Sequence, residues 1–266
     1  MPFFSRGGGI LVNLNAIELS SIIQQNCTKP NCTITTNYDE ITNRSNYTTH
    51  GTEGIEIESR IGTFINYGII NIPTVIASNQ TFTFRNNGYV EHFINYGTSG
   101  NLHKMGFWGD GGIGKITNYG IMGSINLENK IPTTLNNLGF IGASQSHISV
   151  KDNKVVIQNY TTMISEAATT FNSFTRTDIN NFSHLVISTN NNGSVSFKDK
   201  KSKILLDFGT NFEFGKTYLI DKVATDTGGN AYTDLGVDFS HLSPFNDIYT
   251  ITKSGTNGFK VELKKP

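Results

Sequence analysis

Residues 109–115 read GDGGIGK, which matches the first seven positions of the phosphate-binding pattern G-x-x-x-x-G-K. The eighth position should be Ser or Thr, to hold magnesium, but it is Ile116. The residues from 116 onward, ITNYGIM, favour a strand rather than the helix that such a loop opens, so the stretch reads as a Gly-rich corner. None of the six His (His50, His92, His103, His147, His184 and His241) stands at H-x-x-x-H spacing. His92, His103 and Asp110 would make an acid–base or metal site only if the fold gathered them. Glu56 and Glu58 lie two apart, on one face of a strand. Paired carboxylates of that kind serve glycan cleavage, and a solvated strand face is the plainer reading. G-x-S-x-G is absent. These patterns imply no catalytic residues, no metal site and no cofactor.

Two further groups bear on binding and on compartment. Phe107, Trp108 (the only Trp) and Asp110 lie in NLHKMGFWGDGG. Read as a loop projecting between repeats, it offers a binding surface; the alternative packs the aromatics beneath the loop. Cys27 and Cys32, in NCTKPNC, flank a turn that could bring them within disulfide range. Such a small-loop disulfide fits an exported protein, and two reduced thiols are the alternative.

The elements that must position these groups are announced by a repeated phrase. FINYGII occupies 64–70, FINYG 93–97 and ITNYGIM 116–122. Looser copies are FRNNGYV at 84–90 and LNNLGFI at 135–141. Strand-favouring residues on both sides of Asn-x-Gly, recurring about every 20 residues, predict a β-solenoid. Asn and Gly suit corners that use the left-handed backbone region. Asn66, Asn86, Asn118 and Asn137 are the candidates for an amide ladder from coil to coil. Ile69 and Ile121 are expected to point inward.

The fold class expected is therefore all-β, a right-handed parallel β-helix with a C-terminal β cap. Residues 1–60 read as an irregular N-terminal region with the first coils, 61–200 as β-helix and 201–266 as cap. Met163, Ile164, Ala167, Ala168, Phe171 and Phe174 share a helical face, which predicts a short helical excursion over 163–174. Residues 247–264, DIYTITKSGTNGFKVELK, read as a closing hairpin.

With 21 basic and 21 acidic side chains the net charge is zero, so nothing favours nucleic acid as a partner. Charged residues form 16% of the chain, against about 25% in an average domain; 31 Asn and 31 Thr take their place. No apolar run is long enough for a membrane-spanning helix, and the N-terminus does not read as a signal peptide.

The INYGII-type phrases, the segment GKTYLIDKV at 215–223 and the terminal hairpin together resemble the passenger domain of a bacterial autotransporter (type V secretion). They are similar to adhesins of the Campylobacter adhesion-protein type. The resemblance covers roughly residues 60–266. It implies surface display or secretion through the outer membrane, with an outer-membrane β-barrel in the full-length protein. It also implies a C-terminal cap that helps nucleate folding. The function expected is non-enzymatic adhesion to a host-cell surface protein or glycan, or self-association. A polysaccharide-active β-helix enzyme and a toxin-like passenger acting on host membranes are the alternatives.

Overall fold

The computed structural model describes residues 16–26, 32–48, 55–71, 81–84, 88–99, 104–109, 112–122, 125–129, 131–141, 148–165, 169–171, 174–176, 185–198, 201–207, 215, 217–220, 222, 224–233, 235–238, 248–255 and 258–264. Its strands form a parallel β-helix. One long sheet runs, in spatial order, through Ala16–Glu18, Tyr38–Asn43, Arg60–Asn66, Tyr89–Asn95, Gly112–Asn118, Thr133–Asn137, Lys154–Ser165, Lys201–Asp207 and Gly236–Asp238. A second sheet stacks Asn46–Thr48, Ile69–Asn71, Thr98–Ser99, Ile121–Met122 and Phe140–Ile141. A third stacks Thr81–Phe84, Lys104–Gly109, Ile125–Asn129, Ile148–Lys151, Leu185–Asn190 and Ala224–Asp226. From Arg60–Asn66 to Lys154–Ser165 successive strands visit the three sheets in turn. Each strand then pairs in parallel with its equivalent in the next coil, as Phe64 with Phe93 and Phe93 with Ile116.

The core is a set of inward columns produced by strand alternation. Ile41, Phe64, Phe93, Ile116 and Leu135 occupy one register position in successive coils, all fully buried. Phe64 and Phe93 lie ring against ring at 5.6 Å. The alternation carries on through the corner. Asn66 points in, Tyr67 is exposed, Gly68 and Ile69 are half-buried, and Ile70 is buried. The inward residues are therefore Ile70 and Met122, one place beyond the expected Ile69 and Ile121. Counting by twos from Phe64 and Asn66, or from Ile116 and Asn118, reaches Ile70 and Met122, so alternation continued from the Asn gives the inward residue.

The two ends of the chain and the 163–174 stretch fill in or depart from the sequence reading. The register reaches back to Ala16–Glu18, followed by a helix, Leu19–Asn26, which buries Leu19 and Ile22. The described residues of 163–174 are in strands, not in the expected helical excursion. Lys154–Ser165 is one strand, whose residues 160–165 pair with Ser202–Asp207, and Thr169–Phe171 pairs antiparallel with Phe174–Arg176. Continuous backbone pairing and the β-branched residues Thr161, Thr162, Ile164, Thr169 and Thr170 favour strands there over the helical spacing. The coil sheets also continue past residue 201, through Ala224–Asp226 and Gly236–Asp238. The closing sheet is Thr217–Ile220, Gly258–Leu263 and Tyr249–Ser254, antiparallel, with Tyr249, Phe259 and Val261 buried. The 249–263 hairpin is thus present.

Candidate functional site

The repeated N-Y-G phrase builds one corner of the helix, and each letter has its own task. Asn points inward. Asn43, Asn66, Asn95, Asn118 and Asn137 form a buried ladder in which each Nδ2 donates to the next Oδ1, every step at 2.8 Å. The remaining amide hydrogens are used as well: Asn66 donates to Thr98 O at 3.0 Å, and Asn95 donates to Gly97 O at 3.1 Å and to Ile121 O at 2.9 Å. The backbone carbonyl of each ladder Asn from Asn43 to Asn118 accepts two N–H groups from the next coil's corner, as Asn66 O does from Tyr96 at 2.8 Å and Gly97 at 3.0 Å. Burying these amides is tolerable because their polar atoms are paired.

Asn66, Asn118 and Asn137 thus stand in the ladder as expected. Asn86 lies outside the described residues, and the rung between Asn66 and Asn118 is Asn95. The FRNNGYV phrase runs into another corner, where Gly88 sits against the Ile57 carbonyl and leads into Tyr89–Asn95. Asn43 was missed because its phrase, ITNRSNY, lacks the Gly.

Glycine is required by crowding. Gly68, Gly97, Gly120 and Gly139 have no positive φ; among the described glycines that property belongs to Gly112, Gly215, Gly229 and Gly255. A Cβ at Gly97 would overlap the Gly68 carbonyl oxygen and stand 2.7 Å from that of Tyr67. The same overlap recurs at Gly120 and Gly139 against the coil before.

The middle residue points out. Tyr67, Tyr96 and Tyr119 are 48%, 47% and 48% exposed and stack face to face. Their centroids are 5.1 and 4.8 Å apart, and the planes lie within 6° and 4° of parallel. Arg44 lies over the Tyr67 ring, 5.4 Å from its centroid, and is ion-paired with Glu18. Leu138, 39% exposed, holds the next register position. Four of the five large apolar side chains exposed among the described residues fall in this one column; Ile248 is the fifth. The result is a ridge running across the strands, with ring faces covered by neighbours and ring edges and hydroxyls turned to solvent.

No family model, curated protein or solved structure matches the chain.

The other candidates take different places. Phe107 and Trp108 are not in a projecting loop: they belong to the strand Lys104–Gly109, with Phe107 in register with Phe84 and Leu127 and Trp108 with Glu128. Pairing on both sides uses the backbone groups that a loop would leave to water. Asp110 and His103 lie outside the described residues. The later part of the phosphate-loop match enters a coil strand, Gly112–Asn118, with Ile113 buried. Cys32 opens the strand Cys32–Ile34, while Cys27, and with it the disulfide, lies outside the described residues. Glu58 is exposed just beyond the strand Ile55–Ile57 that carries Glu56. Among the described residues no three His, Cys, Asp or Glu gather as metal ligands.

His92 sits on the outer face of the long sheet, half-buried, with Nε2 2.9 Å from Thr117 Oγ1. Burial pushes its imidazole below the ordinary value, and Lys115, its register partner, adds to the effect. Between the lowered folded value and the unfolded value of about 6.5, the unfolded chain binds more protons. Stability should therefore fall as pH drops from neutral through that window and level off below it. His92→Gln should remove that component, as read from denaturant midpoints across pH. An unchanged pH profile in the variant would exclude His92 as its source.

Proposed function

We propose that the chain is a surface-displayed or secreted adhesin of the autotransporter-passenger type, and that the tyrosine ridge is its contact surface. In this reading the β-helix is a rigid rod, non-enzymatic and held at the outer membrane by a β-barrel in the full-length protein. The observation that carries the proposal is the exposed stack of Tyr67, Tyr96 and Tyr119. Stacking alone does not need exposure, and tyrosine joins an apolar body to a hydroxyl, the combination enriched at contact surfaces. The buried Asn ladder and the close-packed glycines hold the rings at a fixed pitch without ordering cost on binding.

The test is saturable binding of labelled protein to cultured epithelial cells. Tyr96→Ser should lose binding while keeping the fold. It interrupts two ring contacts, a cost of about 1–3 kcal/mol in stability. Undiminished binding by a folded Tyr96→Ser protein would remove the ridge from the function.

A further inference from the structure

We infer that the tyrosine ridge binds an uncharged, extended β-1,4-linked polysaccharide lying along the helix axis; this names the ligand class of the adhesive surface proposed above and rests on that reading. Three observations select the ligand. The first is pitch. The rings repeat at 4.8–5.1 Å and are nearly parallel, so edge and hydroxyl recur once per coil. An extended β-1,4-linked hexopyranose chain advances by closely the same distance per sugar and presents C–H and O–H groups at each step. An α-1,4-linked chain curls and loses the register.

The second is charge. Arg44, the cation that lies over the Tyr67 ring, is paired with Glu18, so its charge beside the ridge is neutralised. The formal charge of the whole chain is also zero. A neutral ligand fits this surface, whereas a sulfated glycan or a phosphate-bearing one would need unpaired cations.

The third is size. A half-exposed tyrosine offers on the order of 100 Å². Three of them with Leu138 give about 300–400 Å², against roughly 800 Å² per partner in a stable protein–protein interface. A narrow ridge of this area suits a single polysaccharide chain better than a second folded protein. Ile65 and Ile94, half-buried one inward residue away from Tyr67 and Tyr96, extend the apolar margin on the sheet face.

The experiment is calorimetric titration of the whole chain with cellohexaose and chitohexaose, against maltohexaose, cellobiose and heparin. At least one of the two β-linked hexamers should bind about tenfold or more tightly than maltohexaose and cellobiose, with little change on raising salt. Tyr96→Ser should weaken that binding about tenfold, and Tyr96→Phe, which keeps the ring and loses the hydroxyl, by less. Equal affinity for maltohexaose, salt-sensitive binding to heparin alone, or no binding of either β-linked hexamer at millimolar concentration would overturn the inference. If Tyr96→Ser abolishes cell binding while the hexamers fail to bind, the adhesive ridge stands and the glycan assignment falls. If the hexamers bind through Tyr96 and cells do not, the glycan assignment stands and adhesion to host cells falls.

Discussion

Replacing Asn95 with leucine, which keeps the branching of the side chain and loses its polar atoms, is expected to destabilise the protein by about 3–5 kcal/mol. Asn95 accepts from Asn66 Nδ2 and donates to Asn118 Oδ1, Gly97 O and Ile121 O, all in a fully buried setting. Leucine supplies none of these; Gly97 O keeps the Ile121 N–H at 2.9 Å, but Asn118 Oδ1 loses the Asn95 donor, and each buried polar group left unpaired costs about 1–3 kcal/mol. Asn66 Nδ2 keeps its bond to Thr98 O, which limits the loss on that side. Asn95→Asp should do no better at neutral pH. A carboxylate would accept from Asn66 but face the oxygens of Asn118, Gly97 and Ile121 with no hydrogen to offer. Equilibrium unfolding in guanidinium is the measurement. In a stack of coils the loss should weaken the interfaces on both sides of the substituted coil, so unfolding of Asn95→Leu should also become less cooperative. A change below about 1 kcal/mol would mean that the ladder is a consequence of coil stacking rather than a contributor to it.

Much of this arrangement is legible in the sequence. The INYG phrase announces a coil corner, and coil-to-coil pairing is its consequence, because parallel stacking of equivalent phrases satisfies the backbone at every rung. The closing hairpin is legible from alternation at Tyr249, Ile251, Phe259 and Val261. What sequence reading missed depends on partners remote in the chain. The 163–174 stretch carries a helical spacing of apolar residues, and only Lys201–Asp207, pairing beside it, makes strand the better use of the segment. Phe107 and Trp108 look like loop aromatics until Thr81–Phe84 and Ile125–Asn129 take up their backbone bonds. The FRNNGYV phrase matches the others in sequence, yet its Gly88 packs at a different corner, whereas Asn43 has the right corner without the Gly. The exposed ridge is the instructive omission. Tyr67, Tyr96 and Tyr119 lie inside the phrases that define the repeat, and their outward direction follows from the inward direction of the Asn beside them. The signal was the recurrence of Tyr between Asn and Gly across three phrases, where a solvent-facing corner would accept many polar residues.

The corner glycines separate two explanations that sequence cannot. Gly97→Ala is expected to cost about 3 kcal/mol or more, because the new methyl would overlap backbone rather than a yielding side chain. Relief requires parting the Tyr96–Gly97 corner from the Tyr67–Gly68 corner beneath it. That movement would stretch the bonds from Asn66 O to the Tyr96 and Gly97 amides, now 2.8 and 3.0 Å. It would also open the Tyr67–Tyr96 stack. Gly229 supplies the contrast: its φ is +79° and a Cβ there meets nothing within 4 Å. Gly229→Ala should cost only the conformational penalty of about 1–2 kcal/mol, and Gly229→Asn less, since asparagine visits the left-handed region. At Gly97 the order should reverse, with asparagine at least as damaging as alanine, because the obstacle is volume. Thermal and denaturant unfolding of the four variants gives the comparison. Rescue of Gly97 by asparagine would return the corner to a conformational explanation; failure of that rescue, with loss of tyrosine stacking in the near-ultraviolet circular dichroism, would tie the glycine to the ridge. The glycine then serves the surface as well as the fold, since only a corner without Cβ lets successive coils approach closely enough for the outer rings to touch.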